Sequence, residues 1–237
     1  MSWVYQSTFL VALSHASCSK PNVALRERSS TGKAVLAPVG VSIEVLIVDW
    51  AHIEAAPPDE RADLLEEAAF GEETRPNADE GWIWPTRSAA DWYASYEFSR
   101  TLGSYKPHFW AGERWERLRD FADPQLRGML DRFASVLFWH GLEYMEDIDA
   151  EQVPERSSPW QTSTLMWSSP IEAAELKVLW EGVSPQLEAL REPFDRHVAR
   201  PEGWINDFDS FVTFLEGWNE VVTAAHARGW GIVGLRC

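Results

Sequence analysis

The run Val41-Ser-Ile-Glu-Val-Leu-Ile-Val-Asp49 constrains what this chain can fold into more than any other segment. Val and Ile are stiff at χ1 and suit a pleated strand, and a strand that is apolar at almost every position has to be covered on both faces. The run therefore predicts a first strand inside a sheet, with other elements packed above and below it. At the far end of the chain, Gly231-Ile-Val-Gly-Leu235 reads as a closing strand.

Helices dominate between these two strands, and several announce their ends. Pro57-Pro58-Asp59-Glu60 opens a helix to about Phe70, with acids in the first turn where the macrodipole favours them. Ser88 followed by Asp91 has the form of a capping box and predicts a helix to Leu102, with Trp92, Tyr93 and Tyr96 as its stripe and Gly103 as its stop. A short helix is expected from Gly112 to Phe121. The clearest element has Asp123 as cap, Pro124 at the first helical position and Gly141 as terminator, with Leu126, Met129, Leu130, Phe133, Val136, Leu137 and His140 on one face. Thr162 to Trp167 reads as a strand. Ser169-Pro170-Ile-Glu172 opens a helix to Glu181, Ser184-Pro185 opens another that Pro193 breaks or kinks, and Asp207 to Arg228 is a long helix ended by Gly229. Gly81 to Pro85 and Pro107 to Trp110 read as loops holding aromatics, either lids on the core or platforms for a ligand. The expected fold is α+β: a small sheet that includes the first and last strands, packed by several α-helices.

Composition sets the chemistry around that fold. Hydrophobic residues make up 45% of the chain and charged residues 24%, the balance of a chain that buries a real core. Fourteen tryptophans point to a large core or to an aromatic-lined cleft, since each buries a large area and brings an N–H that wants a partner. The formal net charge of −16 is uneven: residues 1–40 carry Lys20, Arg26, Arg28 and Lys33 against Glu27, so the acidity belongs to the remainder. Residues 1–40 also lack any helical or strand period, whereas residues 41–237 read as a single globular domain. The first forty residues are expected to be a disordered arm or upstream sequence, Val41 being a residue that an alternative GTG start codon would encode.

An acidic domain repels phosphate backbones and anionic lipid, which disfavours nucleic acid and membranes as partners and suits a basic protein. No apolar run approaches the ~18 residues of a membrane span, and the apolar patch Thr8 to Leu13 lacks a basic stretch before it. The two cysteines, Cys18 and Cys237, offer neither a disulfide framework nor metal-ligand spacing, which suits a reducing cytoplasm.

Motifs add little. Gly229-Trp-Gly231-Ile-Val-Gly234 spells G-x-G-x-x-G, but a helix precedes it and only three residues follow, whereas the dinucleotide fingerprint needs a strand before and a helix after. His140 and Glu143 are three apart across the expected helix end, a spacing that could bind a metal or share a proton but that suits a structural histidine better. The acidic run Glu146 to Glu151 lacks the central glycine of a calcium loop. There is no G-x-S-x-G, P-loop, H-E-x-x-H or C-x-x-C. No catalytic residue, metal ligand or cofactor is assigned. The candidate ligand-binding residues are Trp92, His108, Trp110, Trp139, His140 and Glu143, on the expectation that Trp92, Trp110 and Trp139 meet in one aromatic cluster.

The opening strand Ser42 to Val48 with its short acidic helix, and the Phe208–Arg228 helix leading through Gly229 into Gly231–Leu235, resemble the YfbM-like family of small bacterial proteins, a domain of unknown function. Gly71 to Ser169 does not align with it. The resemblance implies an α+β fold and a bacterial origin, and supplies no site residues. The functional expectation is a non-enzymatic binding or interaction protein, such as an acidic immunity or antitoxin-like partner. The alternative is an enzyme with a small-molecule pocket near His140. A chain lacking residues 1–40 is expected to melt within a few degrees of full length in a calorimetric scan, and a large drop would show that those residues belong to the fold.

Overall fold

A computed structural model describes residues 42–70, 81–85, 91–139, 164–200 and 204–236. The expected first strand is β1, Ile43–Val48, and all six of its residues are buried. It is the middle strand of a five-stranded antiparallel sheet in which β2 (Gly81–Ile83) pairs β3 (Tyr93–Glu97), β3 and β5 (Gly231–Arg236) flank β1, and β4 (Thr164–Ser168) lies outside β5. First and last strands are therefore direct neighbours, with Val45 opposite Gly234 and Ile47 opposite Ile232. A register shift interrupts the β4–β5 ladder between Thr164 and Met166.

The pleat divides the core in two. Ile43, Val45 and Ile47 point to one face with Ala94, Met166 and Ile232, while Leu46 and Val48 point to the other with Tyr93, Val233 and Leu235. The second face is covered by α1 (Trp50–Ala55) and α2 (Arg61–Phe70) through Ile53, Leu65, Ala68 and Ala69. Arg61 ties these helices together, donating from Nε to the Ala56 carbonyl at 3.0 Å and from Nη2 to the Glu54 carbonyl at 2.9 Å. Those are carbonyls that a helix C-terminus leaves without a partner.

The first face carries four longer helices: α3 (Lys106–Leu118), α4 (Pro124–Leu137), α5 (Pro170–Val183) and α6 (Phe208–Arg228). Their starts follow the sequence signals. Asp123 accepts from the Gln125 N–H at 2.9 Å, and the Ser169–Glu172 capping box is complete, with Ser169 N–H donating to Glu172 at 2.8 Å and Glu172 N–H to the Ser169 hydroxyl at 3.3 Å. α6 ends at Gly229, whose φ of 65° and ψ of 30° form the left-handed cap that glycine adopts without steric penalty. Between α5 and α6, Pro193 does disturb the helix. Residues Ser184–Leu190 form a 3₁₀ segment and Phe194–Val198 a π-turn.

The G-x-G-x-x-G string dissolves into three structural needs. Gly229 is the helix cap, a Cβ at Gly231 would lie 2.2 Å from the Trp50 ring, and one at Gly234 would lie 2.9 Å from Met166.

Four expectations need correction. Residues 91–102 are not helical: Tyr93–Glu97 is strand β3, hydrogen-bonded between β1 and β2, and Trp92 with Asp91 forms the turn into it. Tyr93 and Ala94 face opposite sides of the sheet, so ladder pairing and two-sided burial override a stripe that suited a helix equally well. Gly81 to Ile83 is edge strand β2 rather than loop, and Pro107 to Trp110 is the first turn of α3, with Pro107 where its missing N–H does no harm. The α4 helix stops at Leu137, before Phe138 and Trp139, and Gly141 lies outside the described residues. Residues 1–40 also lie outside them.

The α4 stripe is buried as expected, Leu130 being 1% and Phe133 0% exposed. Phe133 packs against Trp180 of α5, with ring centroids 5.3 Å apart. Phe133→Ala is expected to lower the unfolding free energy by about 3–5 kcal/mol, as large-to-small core changes do. Urea titration of the two proteins checks this.

Candidate functional site

The sheet separates the tryptophans that were expected to meet. Trp92 packs on the α1–α2 face, its indole stacked on His52 at 4.6 Å and 12° and tilted on Tyr93 at 4.7 Å. Trp110 and Trp139 pack on the four-helix face. The single aromatic cluster of Trp92, Trp110 and Trp139 does not form, because Trp92 enters the sheet as a strand neighbour and not as part of a helix. His140 and Glu143 lie outside the described residues.

Trp110 and Trp139 are partly buried, and the Trp139 indole N–H has no hydrogen-bond partner among the described residues. The Arg114 guanidinium lies 5.0 Å above Trp110, and Arg119 lies 5.2 Å above Trp139. Arg119 also holds Asp131 of α4 with two hydrogen bonds, 3.0 and 2.7 Å, and the same carboxylate accepts the Trp115 indole N–H at 2.9 Å. One acid thus fastens α3 to α4. Arg119, in turn, is held above its ordinary pKa chiefly by the Asp131 hydrogen bond.

His108 is in a different position. Only 1% of it is exposed, and its imidazole sits among Phe98, Tyr105, Phe214 and Trp218. Tyr105 lies parallel to it at 5.6 Å, while Phe98 and Phe214 stand nearly perpendicular at 5.0 and 4.9 Å. Neither ring nitrogen has a partner of good hydrogen-bond geometry among the described residues, and the Trp218 indole N–H beside it has none. Burial pushes the pKa down to about 3, with the Ser104 backbone acting weakly in the opposite direction. The imidazole is thus neutral and packed among rings. His108 is a core residue.

On the outer side of those rings the fold opens a groove of about 740 Å³. Its floor is Tyr96, Phe98, Pro107 and Phe214, so the aromatics that seal His108 from one side line the groove from the other. One wall is the turn from β3 to α3. There Arg100 and Leu102 adopt left-handed φ values of 61° and 52°, each costing about 1–2 kcal/mol for a residue with a Cβ. The turn holds because Thr101 is buried and donates from its hydroxyl to the Phe98 carbonyl at 3.0 Å, and because the Gly103 carbonyl accepts the Ile43 N–H at 2.8 Å. A second wall is Trp204 to Asp207. It is anchored from behind by Arg114, which is fully buried and donates through Nε to the Ile205 carbonyl at 2.8 Å.

The third wall is α6, which presents Ser210, Thr213, Glu216, Gly217 and Glu220. Gly217 lets the helix approach the floor, since a Cβ there would lie 3.0 Å from the Phe98 ring. Glu216 and Glu220 stand one turn apart on the same side, an arrangement of like charges that destabilises a helix by a few tenths of a kcal/mol. Glu220 accepts the Tyr96 hydroxyl at 2.9 Å, whereas Glu216 makes no hydrogen bond or ion pair among the described residues. Asp207 caps α6, and the Ser210 N–H and hydroxyl hold its carboxyl below the usual range. Asp209 pairs with Arg191 at 2.9 Å on the surface. Four carboxylates therefore line the groove, against Arg100 as the one cation among the described lining residues.

These groove residues were not singled out in the sequence. The signal available was the mid-helix Glu216-Gly-Trp-Asn-Glu220, where a glycine and two like charges at i and i+4 each weaken a helix that is otherwise well formed. Chemically the groove offers acceptors and ring faces. No group of His, Cys, Asp and Glu suited to a metal ion occurs among the described residues. Comparison with protein-family models, with curated proteins and with solved structures returns no match.

The burial of a neutral His108 carries a sign for acid stability. Its folded pKa lies below its unfolded value, so below about 6.5 the unfolded chain gains a proton that the folded chain refuses until pH is about 3. Stability from this residue is thus full above the unfolded pKa and lost as pH falls through that window. His108→Leu is expected to fold at neutral pH and to lose less stability than the unsubstituted protein between pH 7 and pH 4. Parallel acid titrations of the two proteins would show no difference if the histidine were exposed or already protonated.

Proposed function

We propose that the protein is a non-enzymatic binding protein whose partner is a basic protein, taken at the groove between the β3–α3 turn and α6. The observation that carries this reading is the lining itself: among the described residues, Asp207, Asp209, Glu216 and Glu220 line the groove with Arg100 as the one cation, and Trp204 stands exposed on its wall. An opening of that size with charge of one sign at its rim concentrates oppositely charged segments and steers their approach. The chain's net charge of −16 acts in the same direction at longer range.

An immunity or antitoxin-like role, acting in the cytoplasm, is the particular form of this proposal. It is supported by the acidity of the domain and by its lack of a nucleophile or phosphate motif. Kinship with the YfbM-like family remains a proposal resting on the same two terminal segments. No helix among the described residues is long and apolar enough to cross a membrane.

The test compares the groove with an equally acidic control surface. Glu216→Gln with Glu220→Gln removes two charges and keeps an acceptor for the Tyr96 hydroxyl. Asp63→Asn with Glu67→Gln removes two charges from α2 on the opposite face of the sheet. A fluorescent decapeptide of alternating Lys and Arg, titrated at moderate salt, is expected to bind the groove variant about tenfold more weakly, a loss of roughly 1.4 kcal/mol. It should bind the control nearly as well as the unsubstituted protein. Equal losses for both variants would reduce the attraction to net charge and overturn the groove as the site.

A further inference from the structure

The groove's carboxylates alone would accept any cation, but its ring faces narrow the choice. An ammonium is a compact, strongly hydrated charge, which carboxylates satisfy without help. A guanidinium is planar and weakly hydrated, stacking on an aromatic face while its N–H edges reach carboxylates in a fixed fork. The groove supplies both halves of that arrangement. Trp204 stands 38% exposed on its wall, whereas Phe98 and Phe214 beneath it are each only 5% exposed and packed ring on ring, and Glu216 and Glu220 line α6.

The chain uses the same chemistry on its own arginines. Arg119 has its face 5.2 Å from the Trp139 ring while its edge holds Asp131 at 3.0 and 2.7 Å. Arg191 lies 4.6 Å over Phe208 and meets Asp209 at 2.9 Å, and Arg228 lies 4.5 Å over Trp84. In each of the first two cases one guanidinium meets both a ring and a carboxylate. The groove sets an exposed ring and carboxylates side by side in the same way, with its own Arg100 on the far wall near Asp207.

We infer that the groove selects arginine over lysine. It takes a guanidinium group from an extended, arginine-bearing segment of the partner, the exposed Trp204 face receiving the plane and Glu216 and Glu220 receiving the edges. This inference rests on the reading that a basic partner binds here, and adds which basic side chain the site prefers.

Two labelled hexapeptides of equal length and charge, one of arginine and one of lysine, separate the two claims when titrated against the full chain by fluorescence anisotropy. The arginine peptide is expected to bind about tenfold tighter, the size of a well-placed cation–π contribution. Trp204→Ala should shrink that ratio while leaving lysine binding nearly unchanged. Thr213→Lys, which sets an ammonium in the groove from an exposed position, should weaken both peptides. Thermal melts of both variants confirm that these surface changes leave the fold intact. Equal affinity for the two peptides would overturn arginine selectivity and leave the basic-partner reading standing. Binding of neither would overturn both. An arginine preference untouched by Trp204→Ala and Thr213→Lys would place the selectivity elsewhere and overturn the inference.

Discussion

β1 has no face that it can turn to water. Its six residues alternate between two cores, and each core has to be assembled from other parts of the chain. On one side the demand is met by two short helices that follow at once, α1 and α2. On the other side it is met by four longer helices drawn from the rest of the sequence. Placing β5 against β1 brings the chain's end back to the middle of the sheet and fixes α6 directly beneath it. The groove is a by-product of that closure: α6 descends at Gly217 onto Phe98, and the turn leaving β3 has to rise around it.

How much of this could be read from residues alone depends on how local the signal was. Caps and terminators act within one turn, so Asp123-Pro124, Ser169-Pro170-Ile-Glu172 and Gly229 located α4, α5 and the end of α6. The two-sided burial of β1 was legible because a strand that is apolar at every position but Glu44 has to be covered on both faces. β3 was misread because Trp92, Tyr93 and Tyr96 fit a helical stripe as well as a strand. The decision was made by hydrogen bonds to β1, fifty residues away in the chain. Among the site candidates, His108 was named for its place in an aromatic segment read as a loop, and the structure buries it among four rings. Glu216, Glu220 and Trp204 gained meaning only when the β3–α3 turn was brought alongside them.

Arginine recurs as the fastener of this architecture. Arg61 closes the end of α1, Arg114 anchors the Trp204–Asp207 wall from within, and Arg119 binds α3 to α4 through Asp131. In an acidic chain, each of these places a scarce cation where a carbonyl or carboxylate would otherwise be buried or unpaired. The acids lining the groove stand apart because three have local partners and Glu216 does not.

The two margins of the sheet carry a consequence for concentrated solutions. A long, regular outer strand is a template on which a second molecule can add its own backbone. Here β2 has three residues and β4 changes register between Thr164 and Met166, so neither margin offers an uninterrupted row of matched donors and acceptors. Such margins favour separate molecules over stacked ones, and like-charged surfaces add mutual repulsion to that geometric mismatch. Joining of copies edge to edge along the described strands is thereby disfavoured.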